Sequence, residues 1–306
     1  MEKAIQHILG KEMKDILTIQ TTALKAINDY MWKKEILQLM PVMLSSITDP
    51  LSHSVYDSSI SYAGQKLELT KSMILHKQLS MMRGDLKGIY IVSPNISLEK
   101  EHLAETGRHL LEFSQVDIEL KDAKYKDFMK FTEDLYTHIF KFVKKECKEE
   151  LARFDRKIRV PKKPFKVYES AMELKVKYGS AFDLELSKKE KDLFWVMDHY
   201  REFYDKEDQV TKRHVNYDLV YPEGFGEALS GGERETDYET IVRKMGERKT
   251  DLGKYKTYVE ISKKGLLKPT AGGGFGVERL VRYFTGKRHI RDVSLFPRIP
   301  GEEIVL

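Results

Sequence analysis

The stretch PTAGGGFGVERLVRYFTGKRHIRDVSLFPRIPG, from Pro269 to Gly301, gathers residue types suited to a flat or anionic ligand. Gly272, Gly273, Gly274 and Gly276 strip side chains from a strand, so that a ligand can lie against bare backbone. Glu278 and Arg279 then open a helix, which puts a guanidinium near a helix amino terminus, where anions are already favoured. The spacing is not a dinucleotide fingerprint, because G-x-G-x-x-G fails at Val277, and no G-K-[ST] is present for a P-loop. A glycine-rich bend closing a sheet is the plainer reading of the glycines alone.

A second constellation lies in YDLVYPEGFGEALSGGERE, Tyr217 to Glu235. Asp218 and Glu227 are carboxylates on neighbouring strand-like pieces, a suitable pair for Mg²⁺ bridging nucleotide oxygens. Ser230, Gly231 and Gly232 make a narrow floor, and Arg234 projects a planar fork that suits a carboxylate, unless it only salt-bridges a surface turn. Between His109 and Leu120 the letters alternate. Leu110, Val116, Ile118 and Leu120 point one way, and Phe113, Gln115, Asp117 and Glu119 the other, so one face can pack on a core while the other holds a ligand.

These groups need a scaffold, and the chain has the means to build one. Its 306 residues are 41% hydrophobic and 33% charged with a net charge of +5, which marks a globular protein with a packed core. The excess of basic residues permits anionic ligands without pointing to wholesale nucleic-acid coating. The longest apolar stretch, Ile36 to Leu44, contains Gln38 and Pro41 and is too short for a membrane span, and MEKAIQHILGKEMK has no secretion signal. Cys147 is the only cysteine, which excludes intrachain disulfides and thiolate-rich metal sites and leads to the expectation of a reducing, cytoplasmic home.

Apolar steps of three and four predict a long helix from Glu12 to about Lys34, followed by an extended stretch around Pro41. Strands are expected at Lys66 to Leu69, Gly88 to Val92, Phe194 to Met197, Val215 to Tyr221 and Ala271 to Gly276. Helices are expected at Met73 to Met82, Lys121 to about Arg153, Asp237 to Arg248 and Val277 to Phe284. RKIRVPKKPFK, Arg156 to Lys166, has two prolines and six basic residues and reads as a linker or solvated crossing, or as a strip for tRNA. Strands from distant parts of the chain with helices between them predict a single α+β domain with a mixed, largely antiparallel sheet covered by helices.

With its continuation R-D-V…F-P-R, the glycine strand leading into Glu278-Arg279 resembles motif 3 of class II aminoacyl-tRNA synthetases, in the aspartyl and asparaginyl branch. Motif 1 of that family, a long helix and then a strand with an embedded proline, resembles residues 12–50. Motif 2 resembles residues 88–120, with SPNISLEKEHLAETGRHLLEFSQVDIEL as its strand, loop and strand. The resemblance covers essentially the whole chain, and motif 3 spans residues 269–301.

The resemblance implies an ATP site in which Glu99 meets adenine, Phe113 stacks on it, Arg108 and His109 face the β- and γ-phosphates, and Arg279 faces the γ-phosphate, with Gly274 and Gly276 beneath. Arg279, Arg108 and Glu99 are thereby the catalytic candidates, and Asp218 and Glu227 the Mg²⁺ ligands. The family's motif 2 arginine, which meets the α-phosphate, is absent: Ser97 stands there, and Arg108 or Lys100 is the expected substitute. Ser72, Lys77, Gln115, Ser230, Gly231, Gly232 and Arg234 are the implied substrate-binding residues. Lys77, in LTKSMILHKQL, matches an aspartyl-enzyme lysine, and two cations on one side chain favour aspartate over asparagine. Lys71 and Ile74 stand where those enzymes have glutamines.

Motif 1 begins within a dozen residues of Met1, so no room is expected for the family's anticodon-binding barrel. In this the chain is similar to free-standing archaeal asparagine synthetases, a match that extends to SITDP, SMILHKQ, REFYD and SGGERE. The expectation is therefore a homodimer, joined through the motif 1 helix and strand, that makes asparagine from aspartate, ammonia and ATP through an aspartyl-adenylate. The rival expectations are a tRNA-directed aspartyl or asparaginyl ligase and a non-catalytic sensor of ATP or aspartate.

Overall fold

The structure, a computed structural model, describes residues 2–51 and 53–305. A short helix α1 (Glu2–Ile8) precedes α2 (Met13–Lys33), whose buried residues Ile16, Ile19, Ala23, Ile27 and Met31 form the expected stripe. The extended stretch that follows pairs only briefly, as β1 (Leu37–Gln38) and β2 (Leu44–Ser45), with Pro41 between them. β2, β3 (Ser59–Tyr62) and β4 (Gln65–Leu69) make a small antiparallel sheet in the order β2-β4-β3. Helix α3 (Ile74–Ser80) then leads to the main sheet.

β5 (Gly88–Ile96) runs four residues past its expected end, straight through Pro94. Proline is tolerated there because β5 pairs with β6 (Glu112–Lys121) along its length but with β1 only at Ile89 and Tyr90. At Pro94 the far edge of the strand needs no donor. The expected single helix after Lys121 is two: α4 (Tyr125–Glu146) and α5 (Lys148–Arg153), separated at Cys147 (φ −111°, ψ 39°). The break lets α5 follow α2, burying Leu151 and bringing Arg153 Nε to 2.6 Å from Asp15 Oδ2.

The basic stretch Arg156 to Lys166 is not wholly solvated, since Ile158 and Phe165 are buried and pin it to the core. It ends in the edge strand β7 (Lys166–Tyr168), which lies parallel to β8 (Phe194–Met197). Helices α6 (Ala171–Tyr178) and α7 (Phe182–Lys189) lie between them in sequence. Neither was visible in the periodicity, because both are only two turns long. The chain continues through β9 (Asn216–Tyr221), β10 (Gly226–Glu233), α8 (Tyr238–Glu247), α9 (Lys256–Lys263), β11 (Thr270–Gly276) and α10 (Val277–Thr285).

The main sheet has eight strands in the order β1-β5-β6-β11-β10-β9-β8-β7, and all neighbours are antiparallel except the two end pairs. One face, carrying Val116, Ile118, Tyr217, Leu219, Leu229, Ala271 and Phe275, packs on α2, α4 and α10 in the largest apolar core. α6 and α7 cover part of the opposite face through Phe182, Leu186, Val196 and Val220. A separate cluster, including Leu75, Phe203, Ile241, Met245 and Tyr258, seats α3, α8 and α9. Between these covers, the centre of the second face stays open. Among the described residues, no helix is long and apolar enough to cross a membrane.

Candidate active site

The open centre is a cavity of about 360 Å³ above β6, β10 and β11. Glu99, Arg108, His109, Phe113, Gln115, Ser230, Gly274, Gly276 and Arg279 line it together with Ser97, Glu227 and Glu278. Three stretches far apart in sequence thus meet at one place, because β11 pairs with both β6 and β10. Gly274 and Gly276 line the cavity and Gly272, on the same face of β11, abuts Glu119, while Ala271 and Phe275 face the core.

The glycines make room chiefly for neighbouring side chains. A Cβ on Gly272 would stand 1.9 Å from Glu119 Oε2, and one on Gly274 2.1 Å from Gln115 Nε2 and 2.6 Å from Asp117 Oδ1. Gly231 is as restricted, with Gly272 O 2.2 Å from its Cβ position, and a Cβ on Gly232 would meet Asp205 Oδ1 at 2.8 Å. Gly276 differs, since its nearest neighbour, Arg279 Cγ, is at an ordinary 3.7 Å.

Beside the cavity, but not on its wall, lies a buried charge network. Lys77 Nζ donates to Asp117 Oδ1 at 2.8 Å and stands 3.7 Å from Glu119 Oε2. Arg234 donates through Nε and Nη2 to the two oxygens of Glu119, at 3.0 and 3.2 Å, and through Nη1 to Asp205 at 3.0 Å. The two cations share Glu119, and three carboxylates of the protein already answer their charge. Glu119 and Asp205 keep Arg234 charged despite complete burial. Asp117 Oδ2 is a buried acceptor without a partner among the described residues. Ser72 caps the start of α3 by accepting from Ile74 N at 3.1 Å.

At the phosphate end, Arg279 Nη1 donates to Glu227 at 2.9 Å and Arg108 Nη1 to Asp183 at 3.3 Å. Burial, with help from Arg279, pushes His109 down to about 4, so its ring is neutral at physiological pH and offers a hydrogen bond rather than a charge. Burial alone would raise Glu99, but hydrogen bonds from His53 and Ser97 outweigh it and hold the carboxyl below its ordinary value. Burial raises Glu278, whose two oxygens accept from Ser114 N at 2.9 and 3.1 Å and so tie α10 to β6.

Asp218 and Glu227 come to the same face through a β-bulge. The β9–β10 register pairs Glu227 with Val220 and Ser230 with Asp218, and it shifts by one between Glu227 and Leu229. Without the bulge to absorb the extra residue, positions 227 and 230, three apart, would point to opposite faces. Ala228 O accepts from Tyr136 Oη at 3.2 Å, so this carbonyl keeps a partner at the bulge. Asp218 ion-pairs with Arg201, whose Nη1 also donates to Ser230 Oγ at 2.6 Å, and Asp218 Oδ1 is buried with no partner among the described residues. Two carboxylates, one with a free buried oxygen, fit a hard cation that completes its shell from phosphate and water. Among the described residues, no three or more His, Cys, Asp or Glu side chains cluster as a metal site of their own.

Residues 1–300 match the model of the tRNA synthetases class II (D, K and N). The chain belongs to this family. It is 30% identical over 320 residues to the aspartate–tRNA(Asp/Asn) ligase of Methanopyrus kandleri, covering 97% of this chain and 70% of that protein. To the asparagine–tRNA ligase of Pyrococcus abyssi it is 27% identical over 314 residues, with 96% and 70% covered. The crystal structure of asparaginyl-tRNA synthetase from Pyrococcus horikoshii complexed with asparaginyl-adenylate superposes with a TM-score of 0.86 at 25% identity, covering 98% of this chain and 72% of that one. The α+β fold with its mainly antiparallel sheet is the family's fold.

These relatives correct one expectation. An ammonia-using ligase that releases free asparagine was inferred from the archaeal asparagine synthetases, but the proteins matched here are ligases of tRNA. Aspartate-plus-ammonia chemistry is therefore withdrawn. The family is one of ATP-dependent ligases of the aminoacyl-tRNA synthetase type.

Besides Asp183, which pairs with Arg108, three residues with charged partners at the site carried no role in the sequence reading. Arg201 and Asp205 come from the β8–β9 connection, where acid and base interleave with aromatics in HYREFYDK. His53 reaches the cavity from the 46–58 loop, and no spacing in the sequence announces it.

Proposed function

We propose that this protein activates aspartate or asparagine with ATP, forming an aminoacyl-adenylate and pyrophosphate, and transfers the acyl group to tRNA with release of AMP. The observation that carries the reading is the convergence of Glu99, Phe113, Arg108 and Arg279 on one 360 Å³ cavity beside the buried Lys77–Glu119–Arg234 network. Phe113 stacks on adenine and Glu99 accepts from its amino group. Arg279 and Arg108 exchange their carboxylate partners for phosphate oxygens and offset the charge that grows as pyrophosphate leaves. Asp218 and Glu227 would hold Mg²⁺, which supplies positive charge to the phosphates when bound. The neutral His109 donates a hydrogen bond to the outer phosphates.

The amino acid would lie over Gln115 and Ser230, with its side chain toward Lys77 and Arg234. Positioning of the two reactants contributes to the rate, since adenylate formation needs an in-line approach of carboxylate and α-phosphate. The family's two-fold dimer is supported by the exposure of Trp32, Leu37, Met40 and Leu44 at the end of α2 and along the stretch after it.

Pyrophosphate exchange with Mg-ATP and each of the twenty amino acids, followed by acylation of unfractionated tRNA, tests the proposal. Exchange with aspartate or asparagine and acid-precipitable label on tRNA are expected. Exchange with neither amino acid would end it.

A further inference from the structure

The motif 2 strand lacks its arginine, and the structure brings an imidazole to the same spot. Ser97 Oγ reaches no farther than Glu99 Oε1, at 2.7 Å. His53 arrives from the 46–58 loop and places Nε2 at 3.1 Å from that same Oε1 and 2.9 Å from Oε2. The ring lines the cavity and is about half exposed to it. Its Nδ1 has no hydrogen bond to the protein among the described residues.

The loop that carries His53 is tied down on both sides. Asp49 accepts from Leu51 N at 3.2 Å and from Tyr204 Oη at 3.1 Å. Tyr56 N donates to Leu98 O at 2.8 Å, and its hydroxyl donates to Glu101 at 2.8 Å. His53 is thus held against the end of β5, where a longer side chain at position 97 would lie.

We infer that His53 is a third phosphate-facing cation of this site beside Arg108 and Arg279, taking the place of the missing motif 2 arginine and donating from Nδ1 to a phosphate oxygen of the bound nucleotide while Glu99 accepts from Nε2. An imidazole that donates from both nitrogens must carry a proton on each, so the bound state is the imidazolium. Glu99 favours that form, and its hydrogen bond raises His53 although partial burial works the other way. The charged and titratable groups around the ring are Glu99, Asp49 on its own loop, His109 and Arg108 before β6, Arg279 on α10 and Lys71 after β4. His109, at about 4, does not titrate near neutrality. The inference rests on the proposed nucleotide site but needs neither amino acid nor tRNA for its test.

Calorimetric titration of the full chain with Mg-ATP at pH 6.5 and 8.5 provides that test. Losing one charge-assisted contact costs roughly tenfold in affinity, so the wild type should bind about tenfold more weakly at pH 8.5. His53→Ala should bind at that weaker level at both pH values. His53→Arg, and Ser97→Arg combined with His53→Ala, should restore tight binding and remove the pH dependence, a rescue that a merely structural role would not produce. Equal wild-type affinity at the two pH values, or tight binding by His53→Ala, would overturn the inference. If this pattern appears but neither aspartate nor asparagine supports pyrophosphate exchange, His53 keeps its role and the proposed reaction falls. If exchange proceeds and His53→Ala leaves it unchanged at every pH, the reaction stands and the His53 role falls. Failure of the wild type to bind Mg-ATP would overturn both.

Discussion

Arg234 and Glu119 meet in a two-pronged ion pair with almost no solvent contact, their side chains 2% and 0% exposed. Removing one partner of such a pair leaves the other charge buried and unanswered, which costs about 3 to 5 kcal/mol. Arg234→Ala should therefore lower stability by about that amount in urea unfolding. Arg234→Lys, which keeps the charge but not the fork, should lose less stability and act mainly by raising the KM for the amino acid.

Arg279 and Glu227 form the opposite kind of pair, partly exposed at the cavity wall. Such pairs contribute only about 0 to 1 kcal/mol to stability. Arg279→Ala should leave the unfolding midpoint nearly unchanged while lowering the pyrophosphate-exchange rate about 100-fold or more, the scale for losing one transition-state donor. Unchanged exchange would remove Arg279 from the phosphate site.

The glycines of β11 should not be equally sensitive. Gly272→Ala drives a methyl group to within 1.9 Å of Glu119 Oε2 and 2.4 Å of Ile118 O, so it should break the buried network and destabilise the fold by several kcal/mol. Gly276→Ala meets nothing closer than 3.7 Å and should cost less than about 1 kcal/mol. Thermal melts of the two variants check the contrast.

Glu202 gives a pH signature. Burial raises its carboxyl from the ordinary 4.5 to about 7, with nearby Asp49 adding to the effect. Below pH 4.5 it is protonated folded or unfolded; between about 4.5 and 7 the unfolded chain ionises while the folded protein keeps its proton. Its contribution to stability is therefore lost as pH rises through that window, by about 3 kcal/mol, and is constant above it. Glu202→Gln should be more stable than the wild type at pH 8 by roughly that amount and indistinguishable at pH 4.

Much of the scaffold was legible because period carries it. The stripe Ile16–Ile27–Met31 and the alternation Val116–Ile118 each name their buried face, and the glycine run announces a strand that can lie close to its neighbours. What stayed hidden depends on contacts between remote residues. Cys147 interrupts a helix whose apolar spacing continues unbroken, and the packing of Leu151 on α2 decides it. Asp205 and Glu119 are 86 residues apart in numbering and belong to one site only because Arg234 bridges them. Charges were readable one at a time, but not which of them would neutralise each other.

The extra residue at Ala228 has an arithmetical consequence. Because one face of a strand is reached only at every second position, pairing β10 with Ala228 kept in the ladder would turn Glu227 toward Tyr136 and the helix layer, with every residue type at the site retained. The same chain with β10 paired without its bulge would carry the full set of acidic and basic groups and still be unable to point both carboxylates at a common ion.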